Sequence, residues 1–195
     1  MKYAFIFIGR SGCGKGTQVE LLRKYLAEKN IGDTIHIETG VEFREFITGS
    51  GPTNVLSKAV YESDERQPDF LACFMWTHVM VRDYKPNMHA IFDGTPRSIS
   101  EAQVLETALR FYGFEKVFVI HLDVSREWSE KHLLARGRAD DATVEKIAKR
   151  LNWFDADVMP AIRYFSQNSF FTTISLSGER SIEEVHQSVC EAIAL

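Results

Sequence analysis

Gly9-Arg10-Ser11-Gly12-Cys13-Gly14-Lys15-Gly16-Thr17 stands between an apolar run and an amphipathic one. Ahead of it, Tyr3-Ala4-Phe5-Ile6-Phe7-Ile8 is apolar without polar alternation, the pattern of a strand covered on both faces in a parallel sheet. Behind it, Val19, Leu22 and Leu26 recur at helical spacing, Leu21 and Tyr25 widen the stripe, and Gly32 is placed as a stop. The stretch reads strand, glycine loop, helix. Gly9 and Gly14 fit G-x-x-x-x-G-K, whose backbone N–H groups wrap a phosphate chain at a helix N-terminus while the lysine reaches the β- and γ-phosphates. A plain Gly-rich turn with Lys15 as a solvated charge is the competing reading, and the strand-loop-helix context favours the phosphate cradle. Directly after the lysine, where a Ser or Thr hydroxyl would hold Mg²⁺, stands Gly16; the hydroxyl comes one residue later, at Thr17. That departure points away from a GTPase or motor ATPase. It suits a small-molecule kinase whose magnesium is held by phosphates, water and a carboxylate elsewhere.

The chain of 195 residues is the length of one domain and buries a sizeable core without a metal or disulfide staple. A formal net charge of −4 leaves no polybasic footprint, which argues against nucleic-acid or membrane-surface binding driven by bulk charge. Phosphate binding must therefore come from locally gathered Arg and Lys. Cys13, Cys73 and Cys190 are odd in number and lack C-x-x-C spacing, so neither a disulfide framework nor a zinc site is expected, and a reducing, cytoplasmic setting is. No run approaches the length that spans a bilayer.

Along the chain, strands are expected at Thr34–Ile37, His89–Asp93, Lys116–Leu122 and Phe170–Leu176, in alternation with helices. Helices are expected over 41–47, 53–61 and 69–84, the last carrying Phe70, Leu71, Phe74, Met75 and Val79 as a core stripe. Ser98-Ile99-Ser100-Glu101 and Ser181-Ile182-Glu183-Glu184 have capping-box spacing. Asp141 is the expected cap of a long helix to about Phe165, disturbed near Pro160. The alternation predicts a parallel sheet covered on both faces, with ligands beyond the strands' C-terminal ends, where Lys15, Thr39, Asp93 and Asp123 fall. Phosphoryl transfer needs positive charge around two phosphate-bearing substrates, and Arg44, Arg97, Arg136, Arg138 and Arg150 stand beside strand ends and glycine breaks.

Gly12-Cys13-Gly14-Lys15-Gly16-Thr17-Gln18 resembles the opening of the adenylate kinase family of nucleoside monophosphate kinases. The resemblance extends over nearly the whole chain. Thr39-Gly40-Val41-Glu42-Phe43-Arg44 is similar to the family's T-G-D-x-L-R, Asp93-Gly94-Thr95-Pro96-Arg97 to D-G-F-P-R, and Leu134–Asp141 to L-x-R-G…R-x-D-D around the lid. Ile147–Leu151 is similar to I-x-x-R-L. The resemblance implies a P-loop three-layer α/β/α fold with a five-stranded parallel sheet, in one domain over 1–195. Its core would be 1–38 and 86–195, with a small helical monophosphate-binding insertion at about 39–85 and a much-reduced lid at about 136–141.

Carried over residue by residue, the resemblance implies ATP binding by Gly12, Cys13, Gly14, Lys15, Gly16, Thr17 and Arg136. It implies monophosphate binding by Thr39, Gly40, Arg44, Gln67, Gly94, Arg97 and Glu101. Lys15, Arg97, Arg138 and Arg150 would be catalytic, and Asp93 would fix Mg²⁺ through water. The implied reaction takes the γ-phosphoryl group of Mg-ATP to a nucleoside monophosphate, AMP first, in a chain expected to act as a monomer. Alternatives are a UMP/CMP or relaxed-specificity kinase, or a nucleotide-binding module with weak transferase activity.

Departures from the family pattern bear on the acceptor. Val41 replaces the acid of T-G-D, Thr95 the aromatic of D-G-F-P-R, and His132 an arginine ahead of the lid. The glutamine that reads the adenine edge falls at Glu101, which equally suits a capping role, and Arg66-Gln67 replaces a more apolar pair before Pro68. Thr39 favours an adenine acceptor. A single glycine between Arg136 and Arg138 means less exclusion of water, and acceptor-independent ATP hydrolysis is expected. A thiol at Cys13 near a helix N-terminus and Lys15 has a route to a lowered pKa, weighed against a small inert loop residue.

Overall fold

In a computed structural model, which describes residues 1–136 and 143–195, five strands form one sheet in the order β2-β3-β1-β4-β5, every pairing parallel. The central strand β1 (Tyr3–Gly9) pairs with β3 (His89–Asp93) and β4 (Lys116–Asp123); β2 (Thr34–Glu38) and β5 (Phe171–Ser177) are the edges. The period-two alternation of β1 divides it between two cores. Ala4, Ile6 and Ile8 enter one cluster, and Phe5 and Phe7 enter the other, so the strand is apolar throughout because both faces are covered.

The Phe5/Phe7 face is covered by α1 (Lys15–Glu28) through Val19, Leu22 and Leu26, and by α9 (Ile182–Ile193) through Val185, Val189 and Ile193. The opposite face is covered by α4 (Asp69–Asp83), α5 (Ile99–Phe111) and α8 (Met159–Ser166), with Trp76, Leu105 and Phe165 fully buried. The result is the three-layer α/β/α arrangement with a five-stranded parallel sheet. Between β2 and β3 run α2 (Thr39–Phe46), α3 (Pro52–Glu62) and α4. Phe43, Leu71, Ala72 and Met75 make a small core of their own there, while the second half of α4 joins the main core through Trp76, Val79 and Met80. Helix α4 thus ties the insertion to the sheet.

Ser181 and Glu184 form the expected reciprocal capping box. Only half of the Ser98–Glu101 box exists: Ser98 Oγ accepts from Glu101 N–H, but the Glu101 carboxylate goes elsewhere. After α6 (Arg126–Arg136), the expected single long helix is three pieces. Asp141, the expected cap, lies outside the described residues, and Thr143 caps α7 (Val144–Trp153) by accepting from Lys146 N–H. Phe154–Val158 then widens into one π turn before α8. Pro160 has no N–H for the carbonyl of Ala156, so the preceding turn gives up the α pattern and settles into the wider one. The break aims Asp155 and Asp157 at two arginines described below.

Candidate active site

Strand β1 ends at Gly9, and α1 starts at Lys15 after a loop that only glycine completes. A Cβ on Gly9 would lie 2.5 Å from the Leu122 carbonyl oxygen, and Gly14, the N-cap, has φ 89°. Among the described residues no side chain caps α1, and its first turn carries no acid, so its leading N–H groups and its dipole suit an anion. Lys15 folds back over the loop, its Nζ donating to the carbonyls of Gly9 (2.8 Å) and Arg10 (3.0 Å). Cys13 is 4% exposed, packed in the α1-side core with Sγ 3.5 Å from Lys15 Nζ. That surrounding favours the inert loop residue over the reactive thiol.

Beyond the C-terminal ends of β1, β2 and β3 lies a cavity of about 560 Å³. Gly12, Gly14, Gly16 and Thr17 line it, with Gly40 and Gly94 across from them. Five basic side chains, Lys15, Arg44, Arg66, Arg97 and Arg150, reach it from the loop, the insertion, the β3 exit and α7. Arg44 Nη2 pairs with Glu38 at 3.2 Å, and Arg150 Nη2 donates to Ser11 Oγ at 3.3 Å. Arg97 Nε donates to the Gly94 carbonyl at 2.8 Å, and burial lowers its pKa against the opposing pull of Glu101. Arg66 bridges Asp69 and Asp157, the latter at 3.2 Å. Arg10, on the loop itself, is pinned to Asp155 at 2.7 Å and lies over the Phe154 ring. Arg138 lies outside the described residues, and Arg136 ends α6. His132 lines the cavity with its ring stacked on Trp128 and Nδ1 2.8 Å from the Trp128 carbonyl.

A second, water-sized space of about 10 Å³ adjoins it, lined by Thr39, Gln67, Thr95 and Glu101 and sharing Arg66 and Arg97 with the cavity. Glu101 is fully buried. It accepts from Thr95 Oγ1–H at 2.9 Å and from Arg97 N–H at 2.6 Å, which is why it abandons the capping box. With the Thr95 proton committed to Glu101, Thr39 Oγ1–H donates to Thr95 Oγ1 at 2.7 Å. Burial raises the Glu101 pKa; the Arg97 N–H and the Thr95 hydroxyl only partly offset it. Gln67 is fixed by a two-way exchange with Ser57, its Oε1 accepting from the hydroxyl at 3.0 Å and its Nε2 donating to the carbonyl at 2.9 Å.

On the opposite wall, Asp93 and Glu38 stand in register at the ends of β3 and β2. Burial raises the Asp93 pKa, Glu38 adds to it, and Lys15, His36 and Arg97 oppose it. A Cβ at Gly16 would be 3.7 Å from Asp93 Oδ2, so the first turn of α1 faces this carboxylate directly. Sequence reasoning singled out Asp93, noted Arg66 only as a departure before Pro68, and gave Glu38, His36 and Arg10 no part in the site. The alternation of His36 and Glu38 with Ile35 and Ile37 was a legible signal of one polar face on β2; the register with Asp93 was not.

The family model described as adenylate kinase matches residues 7–170. Among curated proteins, "Adenylate kinase 1" of Nostoc sp. is 34% identical over 181 residues, 92% of each chain. The adenylate kinase of Corynebacterium aurimucosum is 30% identical over 97% of this chain and 98% of its own. That of Prochlorococcus marinus is 30% identical over the whole of both. With the glycine loop, the parallel sheet and the basic cavity in place, the chain belongs to the adenylate kinase family and is a nucleoside monophosphate kinase.

Proposed function

We propose that the chain transfers the γ-phosphoryl group of Mg-ATP to AMP, yielding two ADP. The observation that carries this reading is the meeting of Lys15, Arg44, Arg66, Arg97 and Arg150 on one cavity beyond the sheet. Protein carboxylates offset part of this charge, as Glu38 does for Arg44 and Asp69 and Asp157 for Arg66, and a cleft so rich in cations still favours polyanions, which two phosphate-bearing substrates supply. Gly12, Cys13, Gly14, Gly16 and Thr17, with Lys15, hold the donor's phosphates, and Arg136 would serve the donor. Thr39, Gly40, Arg44, Gln67, Gly94, Arg97 and Glu101 form the acceptor side. Arg138 and Arg150 hold the phosphoryl group in transit.

In the reaction an oxygen of the acceptor phosphate forms a bond to the γ-phosphorus as the bond to the β–γ bridging oxygen breaks, and ADP leaves with that electron pair. The acceptor phosphate loses its second proton with a pKa near ~6, so no side chain need act as a general base. Catalysis is positioning plus charge stabilisation. Asp93 suits Mg²⁺ as an oxygen donor on the cavity wall with a second carboxylate, Glu38, beside it, and water would complete the ligation. When bound, the ion neutralises charge on the phosphoryl oxygens. We further propose that 39–85 acts as a closing unit, supported by its own small core, and that 136–141 is a minimal lid. No helix among the described residues is long and apolar enough to cross a membrane, and we propose a cytoplasmic monomer.

A pyrimidine or relaxed acceptor preference is the second reading, favoured by Glu101 standing where the family pattern has a glutamine: its oxygens accept from Thr95 and Arg97 N–H, and it has no amide N–H to offer a base. A coupled assay of ATP turnover against AMP, dAMP, CMP, UMP and GMP, with Lys15→Ala as the blank, tests both. Lys15-dependent turnover greatest with AMP is expected. A maximum on UMP or CMP selects the second reading, and ATP binding without turnover on any of the five overturns the kinase reading in favour of a binding module.

A further inference from the structure

On strand β2, His36 and Glu38 alternate with the buried Ile35 and Ile37. Parallel register sets Glu38 beside Asp93 and His36 beside Ile91, a residue of the α1-side core, so all three face α1. One ligand atom each from His36, Glu38 and Asp93 lies within 4.8 Å of the other two. Donors around an ion at ~2.1 Å stand roughly 3–4 Å apart, so atoms within 4.8 Å of one another are about 1–2 Å from that spacing. The His36 ring is not explained by its protein neighbours. Its Nδ1 is 3.9 Å from Glu20 Oε1, too long for a hydrogen bond, and its Nε2 is buried with no hydrogen-bond partner among the described residues. Leaving a buried ring nitrogen unpaired costs stability, and a cation held with Glu38 and Asp93 would take the lone pair of the ring's unprotonated nitrogen.

We propose that His36, Glu38 and Asp93 form a divalent-cation site that binds without nucleotide and takes imidazole-tolerant cations, Mn²⁺ or Co²⁺, ahead of Mg²⁺. Imidazole donors suit the later first-row metals, whereas Mg²⁺ favours an all-oxygen shell. The triad differs from water-mediated Mg²⁺ at Asp93 alone, because two further side chains bind the metal directly. Arg44 holds Glu38 at 3.2 Å and Lys15 opposes the charge of Asp93, so these two cations are the groups a metal displaces. Gly16 leaves room beside Asp93 that a Ser or Thr there would fill.

Mn²⁺ titration of nucleotide-free protein, followed by loss of the free-ion electron paramagnetic resonance signal, reads the site directly. One Mn²⁺ per chain is expected, with Mg²⁺ displacing it only at tenfold or greater excess, and with at least tenfold weaker binding in both His36→Ala and Glu38→Gln. The ¹⁵N shift of the His36 ring on adding Zn²⁺ to the unaltered protein reads ligation without a variant, should either variant misfold. No uptake up to millimolar Mn²⁺, uptake retained by either folded variant, or an unmoved His36 resonance overturns the proposal. The assay with Mg-ATP and AMP, run alongside, keeps the outcomes separate: turnover without Mn²⁺ uptake removes this site alone, and uptake without turnover removes the kinase reading alone.

Discussion

Two buried or half-buried carboxylates near the acceptor side have opposite electrostatic signs. Glu101 is raised by burial, which its two hydrogen bonds only partly offset, while burial also pushes Asp69 up but is outweighed by hydrogen bonds from Arg66, Ser100 and Ser98. A raised carboxyl stabilises the fold fully below its ordinary pKa of ~4.3, and that contribution is lost as pH rises through the raised value. A lowered one contributes above ~3.9 and is lost as pH falls. Denaturant melts across pH should therefore give Glu101→Gln a weaker fall in stability above pH ~4.3 than the parent protein, and Asp69→Asn a weaker fall on acidification. Equal pH slopes for parent and Glu101→Gln would contradict the buried-acid account. The choice between cap and buried network at Glu101 was not legible in the sequence, because it depends on Thr95 and Arg97 N–H competing for the same oxygens in space.

The glycine loop was legible because its chemistry is local: Gly9, Gly14 and Lys15 lie within seven consecutive residues, and Lys15 Nζ reaches back to the Gly9 carbonyl. The break in the long helix was half legible. Pro160 announced a disturbance, but the π turn falls before it, over Phe154–Val158. Wholly illegible were the ion pairs that tie the α3–α4 loop to α7 and the π turn. Lys146 meets Asp64 at 3.2 Å, Lys149 meets Glu65 at 3.4 Å and donates to the Ser63 carbonyl at 3.1 Å, and Arg66 meets Asp157. These pairs join the insertion, whose Arg66 lines the cavity, to the segment that brings Arg150 and Phe154 to it. Each is partly exposed and worth at most about 1 kcal/mol, and salt screens them. Loosening them favours an open insertion, so Asp64→Asn should raise the acceptor KM up to about fivefold and flatten its rise with NaCl, with kcat little changed. An acceptor KM independent of both salt and Asp64 would contradict a latching role.

At the scale of the molecule, alternating strands and helices were enough to predict a parallel sheet with its ligands past the C-terminal ends. The order β2-β3-β1-β4-β5 was not readable from periodicity, since any strand covered on both faces looks alike. That order is what sets β1 between β3 and β4 and gathers Lys15, Asp93 and Arg97 around one cavity. The central claim is that this single cavity takes donor and acceptor end to end. Its most direct test is calorimetric titration with two adenosines joined by five phosphates, a molecule that spans both subsites and retains one phosphate of slack over ATP plus AMP. One molecule per chain, bound at least ~100-fold more tightly than ATP alone, is the predicted result, because linkage makes the second binding event intramolecular. Two molecules per chain, or an affinity no better than that of ATP, would contradict it.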